Sequence, residues 1–122
     1  MSRTGLGRAG EAQAARFLEA QGYVLLARNW RVREGELDIV AQEGDTLAFV
    51  EVKSLRTRVY GAGEERIDAR KQQRLAMLAE RFLAAHPNLS FRQCRFDVVV
   101  VDYTHRPVQI RLYRHAFDPP NQ

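Results

Sequence analysis

Glu36 and Asp38, two residues apart, and the tripeptide Glu51-Val52-Lys53 that follows are the positions of this chain best suited to chemistry. On an extended strand, residues two apart share a face. Glu36 and Asp38 therefore project together, as do Glu51 and Lys53. A hairpin between the two stretches brings Asp38 close to Glu51. Carboxylates gathered in this way suit Mg²⁺, which keeps several waters and is held by one or two protein carboxylates plus phosphate. Such an ion neutralises phosphate charge and makes a water more acidic. An adjacent ammonium orients that water or lowers its pKa further. The competing reading is a surface ion pair on an exposed sheet face, since alternating charges on strands are common.

Two more charged residues point the same way. Glu11 falls on the apolar stripe of a helix, because positions 11, 14, 15 and 18 share one face at 3.6 residues per turn. A carboxylate aimed at a core needs a cation or strong hydrogen bonds. Lys71 does the same on a second helix, in line with Leu75, Leu78 and Phe82. The chain has seventeen Arg and only two Lys, at 53 and 71. Arg is planar and permanently charged, whereas Lys is a compact ammonium that can lose its proton. Inward charges that converge are more often functional than structural, with a buried structural salt bridge as the alternative.

Other motifs carry less. Gly5-Leu6-Gly7-Arg8-Ala9-Gly10 satisfies G-x-G-x-x-G and opens a helix, but a dinucleotide site needs a strand directly before it. What remains is a glycine-rich helix start beside Arg8, able to hold a phosphate through its amides. A flexible entry to the helix is an equal alternative. No G-x-S-x-G is present, and Ser54 after Lys53 forms no nucleophile arrangement. His86, His105 and His115 lack ligand spacing; His86 sits where a cation suits a helix end.

The elements that position these residues can be read from periodicity. Residues 8–21 form a helix with Ala14, Phe17 and Leu18 on its stripe and Gly22 as its stop. Strands are expected over 23–33, 36–42 and 46–53, with a tight turn at Gly44-Asp45. An exposed loop spans 54–66. Asp68 caps a second helix that runs to about Ala85 and buries Leu75, Leu78, Ala79 and Phe82. Residues 93–102 include Val98 to Val101, a run fit for a strand buried on both faces. A short strand, 108–113, closes an α-β-β-β-α-β-β order. This is one α/β domain over 1–122, with its core about 7–113 and a poorly ordered tail at 115–122.

Composition bounds the class. The 122 residues are 45% hydrophobic and 28% charged, with a net charge of +4 and a pI near 9.7. A basic balance favours polyanionic partners. Cys94 is the sole cysteine, which excludes a disulfide framework or a multi-Cys metal site. No apolar run is long enough for a membrane helix, and the N-terminus has no apolar leader. A cytoplasmic setting without membrane association is the expectation.

Together these residues resemble the PD-(D/E)xK nuclease superfamily, whose core is αβββαβ. More closely, the chain resembles the YraN-like family of predicted endonucleases, relatives of archaeal Holliday junction resolvases. The likeness rests on Gly7-Arg8-x-Gly10-Glu11-x-x-Ala14, Asn29-Trp30-Arg31, Gly35-Glu36-Leu37-Asp38, Phe49-Val50-Glu51-Val52-Lys53, Lys71-Gln72-x-x-Leu75 and Arg95-Phe96-Asp97-Val98, covering about residues 7–103. The resemblance implies a restriction-endonuclease-like fold, a mixed central sheet flanked by helices with a short C-terminal strand added. It implies that Asp38 and Glu51 ligate Mg²⁺ or Mn²⁺, with Glu11 supporting them and Glu36 lying further out. Lys53 would position the attacking water, Lys71 would contact the scissile phosphate, and Gln72 would stand nearby. Tyr60-Gly61 takes the place of an aromatic-glycine pair that shapes the loop. DNA, including branched or junction DNA, is the implied substrate, cut to leave a 5′-phosphate and a 3′-hydroxyl. A homodimer is expected because the resolvase relatives are dimers.

Arginines lie where such a site would meet DNA. Arg56, Arg58, Arg66, Arg70 and Arg74 follow Lys53, Arg28, Arg31 and Arg33 flank Trp30, and Arg8 starts the first helix. They would bind phosphates with a salt-sensitive affinity, solvated surface charge being the alternative for some. Trp30 could stack on a base, although a strand Trp is more often core. Nothing reads base edges, which favours structure-directed or non-specific binding. Two other functions compete with a nuclease: a nucleic-acid-binding module that keeps the fold without cleaving, and a protein-interaction domain whose charges serve structure. An intact Asp38, Glu51 and Lys53 set favours the enzyme, since a binding module needs no metal pair.

Overall fold

Apolar residues at alternate positions build strands, and apolar residues every three to four positions build helices. Both periods appear in this chain in the expected places. The computed structural model describes residues 5–57 and 67–119. It contains α1 (Gly5–Ala20), β1 (Val24–Val32), β2 (Gly35–Glu43), β3 (Thr46–Leu55), α2 (Ala69–Ala85), β4 (Gln93–Asp102) and β5 (Gln109–Tyr113). The order matches the one read from the sequence.

The five strands form one mixed sheet in the order β1-β2-β3-β4-β5. β1, β2 and β3 form an antiparallel meander, β4 runs parallel to β3, and β5 returns antiparallel to β4. The parallel step requires a crossover, and α2 lies within it. The two-residue turn at Gly44-Asp45 joins Glu43 to Thr46, with Gly44 at φ 62°. The glycine accepts this left-handed backbone without a Cβ penalty.

Each helix covers one face. α1 buries Ala14, Ala15 and Leu18 against Ile39, Ala41, Ala48, Val50, Val99 and Val101. α2 buries Leu75, Leu78, Ala79 and Phe82 against Leu37, Val40, Leu47 and Phe49. Val98 to Val101 are wholly buried, as a strand covered on both sides requires. Phe17, expected on the apolar stripe of α1, is only half-buried, and Ala15 takes its place in the core. Trp30 packs edge-on to Phe82 at 5.2 Å and to His86 at 6.3 Å, so its ring serves the core. His86 closes α2: its ring stacks on Phe82 and its Nδ1 lies 2.8 Å from the Phe82 carbonyl oxygen.

The C-terminal segment returns to the sheet. Its backbone is held by His115 N–H donating to Asp97 Oδ1 at 2.9 Å and Ala116 N–H donating to the Phe96 carbonyl at 2.8 Å. Phe117 stacks on Phe96 at 5.0 Å. One aromatic side chain and two backbone donors thus place 115–117, part of the span read as a tail, against the end of the sheet.

Asp97 organises this end of the sheet. It is fully buried, accepts from the Tyr23 hydroxyl at 2.8 Å, and takes Arg95 Nε at 2.8 Å. Arg95 also reaches Glu43 at 2.7 Å, and Arg114 holds Glu43 from outside at 2.6 Å. Burial, then the bond to Asp97, raises the Tyr23 phenol well above its ordinary range. Every buried charge here has a partner, as a low-dielectric interior demands.

Candidate metal centre and its cleft

The pleat slips where the centre forms. On β1, Ala27, Trp30 and Val32 all face α2, a step of three followed by a step of two. On β2, Val40 and Leu37 face α2 while Ile39 and Ala41 face α1. Both strands therefore change phase between paired positions, across the Asn29–Asp38 level. Asn29 absorbs its share with φ 53°, a left-handed conformation that Asn tolerates.

The slip turns Asp38 out of the regular alternation. The β2–β3 ladder extends through Ile39 and Val50. Beyond it, the Val52 amide donates to Asp38 Oδ2 at 2.9 Å. A side-chain carboxylate thus takes the role that a backbone carbonyl plays elsewhere in the ladder. Asp38 is 4% exposed.

α1 brings Glu11 to the same place. Its Ala14–Leu18 stripe fixes the helix on the sheet, and Glu11, one turn earlier, is 1% exposed with both carboxylate oxygens enclosed. The approach depends on Gly10, because a Cβ there would run into the Ser54 hydroxyl. One carboxylate oxygen each from Glu11, Glu36 and Asp38 lies within 4.8 Å of the others. Arg31 donates to Glu36 at 3.1 Å across the β1–β2 pair.

Glu51 stands on the α2 side and is engaged differently. Lys71 Nζ lies 2.7 Å from its Oε2. Burial, and next the negative charge of Asp38, pushes the Glu51 carboxyl up to about 7, with Lys71 opposing the shift. Asp38 therefore sits between two groups, Glu11 and Glu36 towards α1 and Glu51 towards α2. Lys71 is placed by its helix start, where Asp68 Oδ1 accepts the Lys71 amide at 2.8 Å. An open cleft of about 340 Å³ adjoins Glu51, lined by Lys53, Ser54, Ile67, Asp68 and Lys71.

The donor set is hard carboxylate oxygen throughout, the type that Mg²⁺ and Mn²⁺ prefer. Asp38 and Glu11 fall in one group. Glu51, expected beside Asp38 as a ligand, does adjoin it but is held by Lys71. Glu36, expected further out, has a carboxylate oxygen within 4.8 Å of Asp38, as Glu11 has. The sequence signal for it was the two-residue spacing on β2. The contact between Gly10 and Ser54 had no sequence signal beyond the glycine-rich run.

The arginines divide. Arg8, Arg56, Arg70 and Arg74 are exposed, as are Arg28 and Arg33. Arg31 is committed to Glu36, and Gln72 Nε2 donates to the Ile67 carbonyl at 2.8 Å, bracing the start of α2. Arg58, Arg66 and Tyr60-Gly61 lie outside the described residues. No helix among the described residues is long and apolar enough to cross a membrane.

The profile of Uncharacterised protein family UPF0102 matches residues 10–101, a span containing Glu11, Glu36, Asp38, Glu51, Lys53 and Lys71. This chain belongs to UPF0102. A UPF0102 protein of Pseudomonas aeruginosa (strain LESB58) is 46% identical over 114 residues, covering 92% of this chain and 91% of the relative. One from Frankia casuarinae is 46% identical over 117 residues, covering 95% and 98%. One from Stutzerimonas stutzeri is 43% identical over 112 residues, covering 92% and 93%. The UPF0102 chains are thus matched over nearly their whole length. The family membership and the mixed α/β sheet with two helices are the parts of the sequence reading that these findings support.

Proposed function

We propose that this UPF0102 protein is a metal-dependent endonuclease of the PD-(D/E)xK type that hydrolyses phosphodiester bonds of DNA, branched DNA included. The observation that carries the proposal is the convergence on Asp38: carboxylates from α1, β2 and β3 meet at one end of the sheet, beside a cleft lined by both lysines of the chain.

Asp38, Glu51 and Glu11 are the residues that would hold Mg²⁺ or Mn²⁺, with Glu36 as a fourth carboxylate in reach. The ion would supply charge neutralisation at the phosphate and acidify a water. Asp38 is oriented for this by the Val52 amide, so its position is fixed by the sheet rather than by a flexible loop. Lys53, on the cleft wall, orients the attacking water. Lys71 offers its ammonium to the phosphate. Exposed Arg56, Arg70 and Arg74 hold the flanking backbone, which gives sequence-independent and salt-sensitive binding.

The test is Mg²⁺- and Mn²⁺-dependent cleavage of linear, flapped and four-way-junction DNA by wild type, Asp38→Asn and Lys53→Ala, each checked for folding by circular dichroism. The proposal expects both variants to lose cleavage by 100-fold or more while keeping most DNA binding. Cleavage that persists in both refutes the site. DNA bound by all three but cut by none leaves a binding module and refutes the enzyme.

A further inference from the structure

The Lys71–Glu51 pair adjoins the candidate metal centre through Asp38. Glu51 is 9% exposed and adjoins Asp38, itself 4% exposed, so two largely buried carboxylates lie side by side. Such a pair needs a compensating cation. The ammonium of Lys71, 2.7 Å from Glu51 Oε2, supplies it. A divalent ion on the same carboxylates would supply the same compensation with twice the charge. Lys71 and an ion held by Glu51 would thus compete for one carboxylate.

The geometry allows Lys71 to give way. Its backbone is pinned by Asp68 at the N-cap of α2, while its side chain remains 42% exposed on the border of the cleft. The four-carbon stem is flexible, and its head can leave Glu51 without moving the helix. The cleft wall that would receive it also carries Lys53, Ser54 and Ile67.

We infer that Lys71 is a tethered stand-in cation, which holds Glu51 while the centre is metal-free and swings into the cleft as a divalent ion enters, becoming available there to a phosphate. This rests on the metal-centre reading of Asp38 and Glu51. It makes metal binding and nucleic-acid binding mutually reinforcing, because whichever binds first removes Lys71 from Glu51 or draws it away. It also gives the first-turn lysine a reason to be Lys rather than Arg: a guanidinium would grip the carboxylate in two-pronged fashion and release it less readily.

The experiment is calorimetric titration of Mg²⁺ and Mn²⁺ into wild type, Lys71→Met and Lys71→Arg at pH 8, with folding checked by circular dichroism. Competition predicts at least fivefold tighter metal binding in Lys71→Met and weaker binding in Lys71→Arg. Equal or weaker binding in Lys71→Met overturns the inference. A second readout needs no variant that alters the pair. With only two lysines, protein labelled at lysine Cε gives two ε-methylene signals, assigned through Lys53→Arg. Addition of Mg²⁺ should move the Lys71 signal towards that of a solvated lysine, and a stationary Lys71 signal at metal saturation overturns the exchange. Failure of the parent reading looks different: no metal bound by wild type or Lys71→Met overturns both. Tighter metal binding in Lys71→Met with no DNA cleavage in wild type keeps the exchange and discards the nuclease.

Discussion

Asp38 occupies a position where strand chemistry and site chemistry are the same interaction. Its carboxylate accepts a ladder amide from Val52, and that bond aims the residue at Glu11, Glu36 and Glu51 together. Asp38→Asn should preserve the fold, because an amide oxygen still accepts from Val52, yet remove the charge that a cation needs. Glu51 makes a pH dependence testable. Its carboxyl is pushed from the ordinary 4.5 to about 7, first by burial and then by Asp38. A raised folded-state pKa means that the folded chain binds the proton more tightly than the unfolded chain. The resulting stability is fully present below about 4.5 and is lost as pH rises through 7. Urea unfolding in chelator should show wild type losing on the order of 2 kcal/mol relative to Glu51→Gln between pH 5 and pH 8. A pH-independent difference between the two would contradict this account of the site. The acidic residues themselves were legible in the sequence, since inward charge on an apolar stripe and two-residue spacing on a strand are one-dimensional signals. The meeting of Glu36 with Asp38, and of Asp38 with Glu51, was legible too; the hold of Lys71 on Glu51 was not. Nor was the phase change across Asn29 and Asp38, which depends on the pairing of two strands at once.

The helices do their work through close approach. α1 reaches the end of β3 only because Gly10 has no side chain against Ser54. Gly10→Ala should therefore cost stability in the wild-type background, where the Ser54 hydroxyl must rotate away. In a Ser54→Ala background the same change should stabilise by about 0.5–1 kcal/mol, the ordinary gain of Ala over Gly in a helix. Thermal unfolding of the four proteins in that cycle measures the reversal; Gly10→Ala effects of the same sign in both backgrounds would show that the contact is unimportant. Phe82 is the largest side chain that α2 buries, meeting Trp30 at 5.2 Å and Phe49 at 6.1 Å and stacking on the cap residue His86. Phe82→Ala should cost about 3–5 kcal/mol in denaturant unfolding and loosen the helix that carries Lys71. All seven elements were legible from periodicity, caps and turns, down to Asp68 as the N-cap. The anchoring of 115–117 was not, because it depends on Asp97 and Phe96, which lie far away along the chain.

The whole molecule combines a basic surface with an acidic centre. The net charge is +4, although the carboxylates of Glu11, Glu36, Asp38 and Glu51 gather at one end of the sheet. On the proposed function, exposed arginines on α2 and after β3 would attract a polyanion to a spot where a bound divalent ion would neutralise it. If Arg70 and Arg74 each meet a phosphate, changing either to Ala should weaken DNA binding equally for unrelated sequences. Each change should also reduce the slope of log affinity against log salt by about 1. Slopes unchanged from wild type would assign these side chains to solvated surface. The most direct measurement is anomalous diffraction from crystals of the protein grown with Mn²⁺. The account predicts a manganese peak at about 2.0–2.2 Å from oxygens of Asp38 and Glu51, with Glu11 directly or one water away and the Lys71 ammonium withdrawn from Glu51. Crystals grown at saturating Mn²⁺ that show no peak there, with Lys71 still on Glu51, would contradict it.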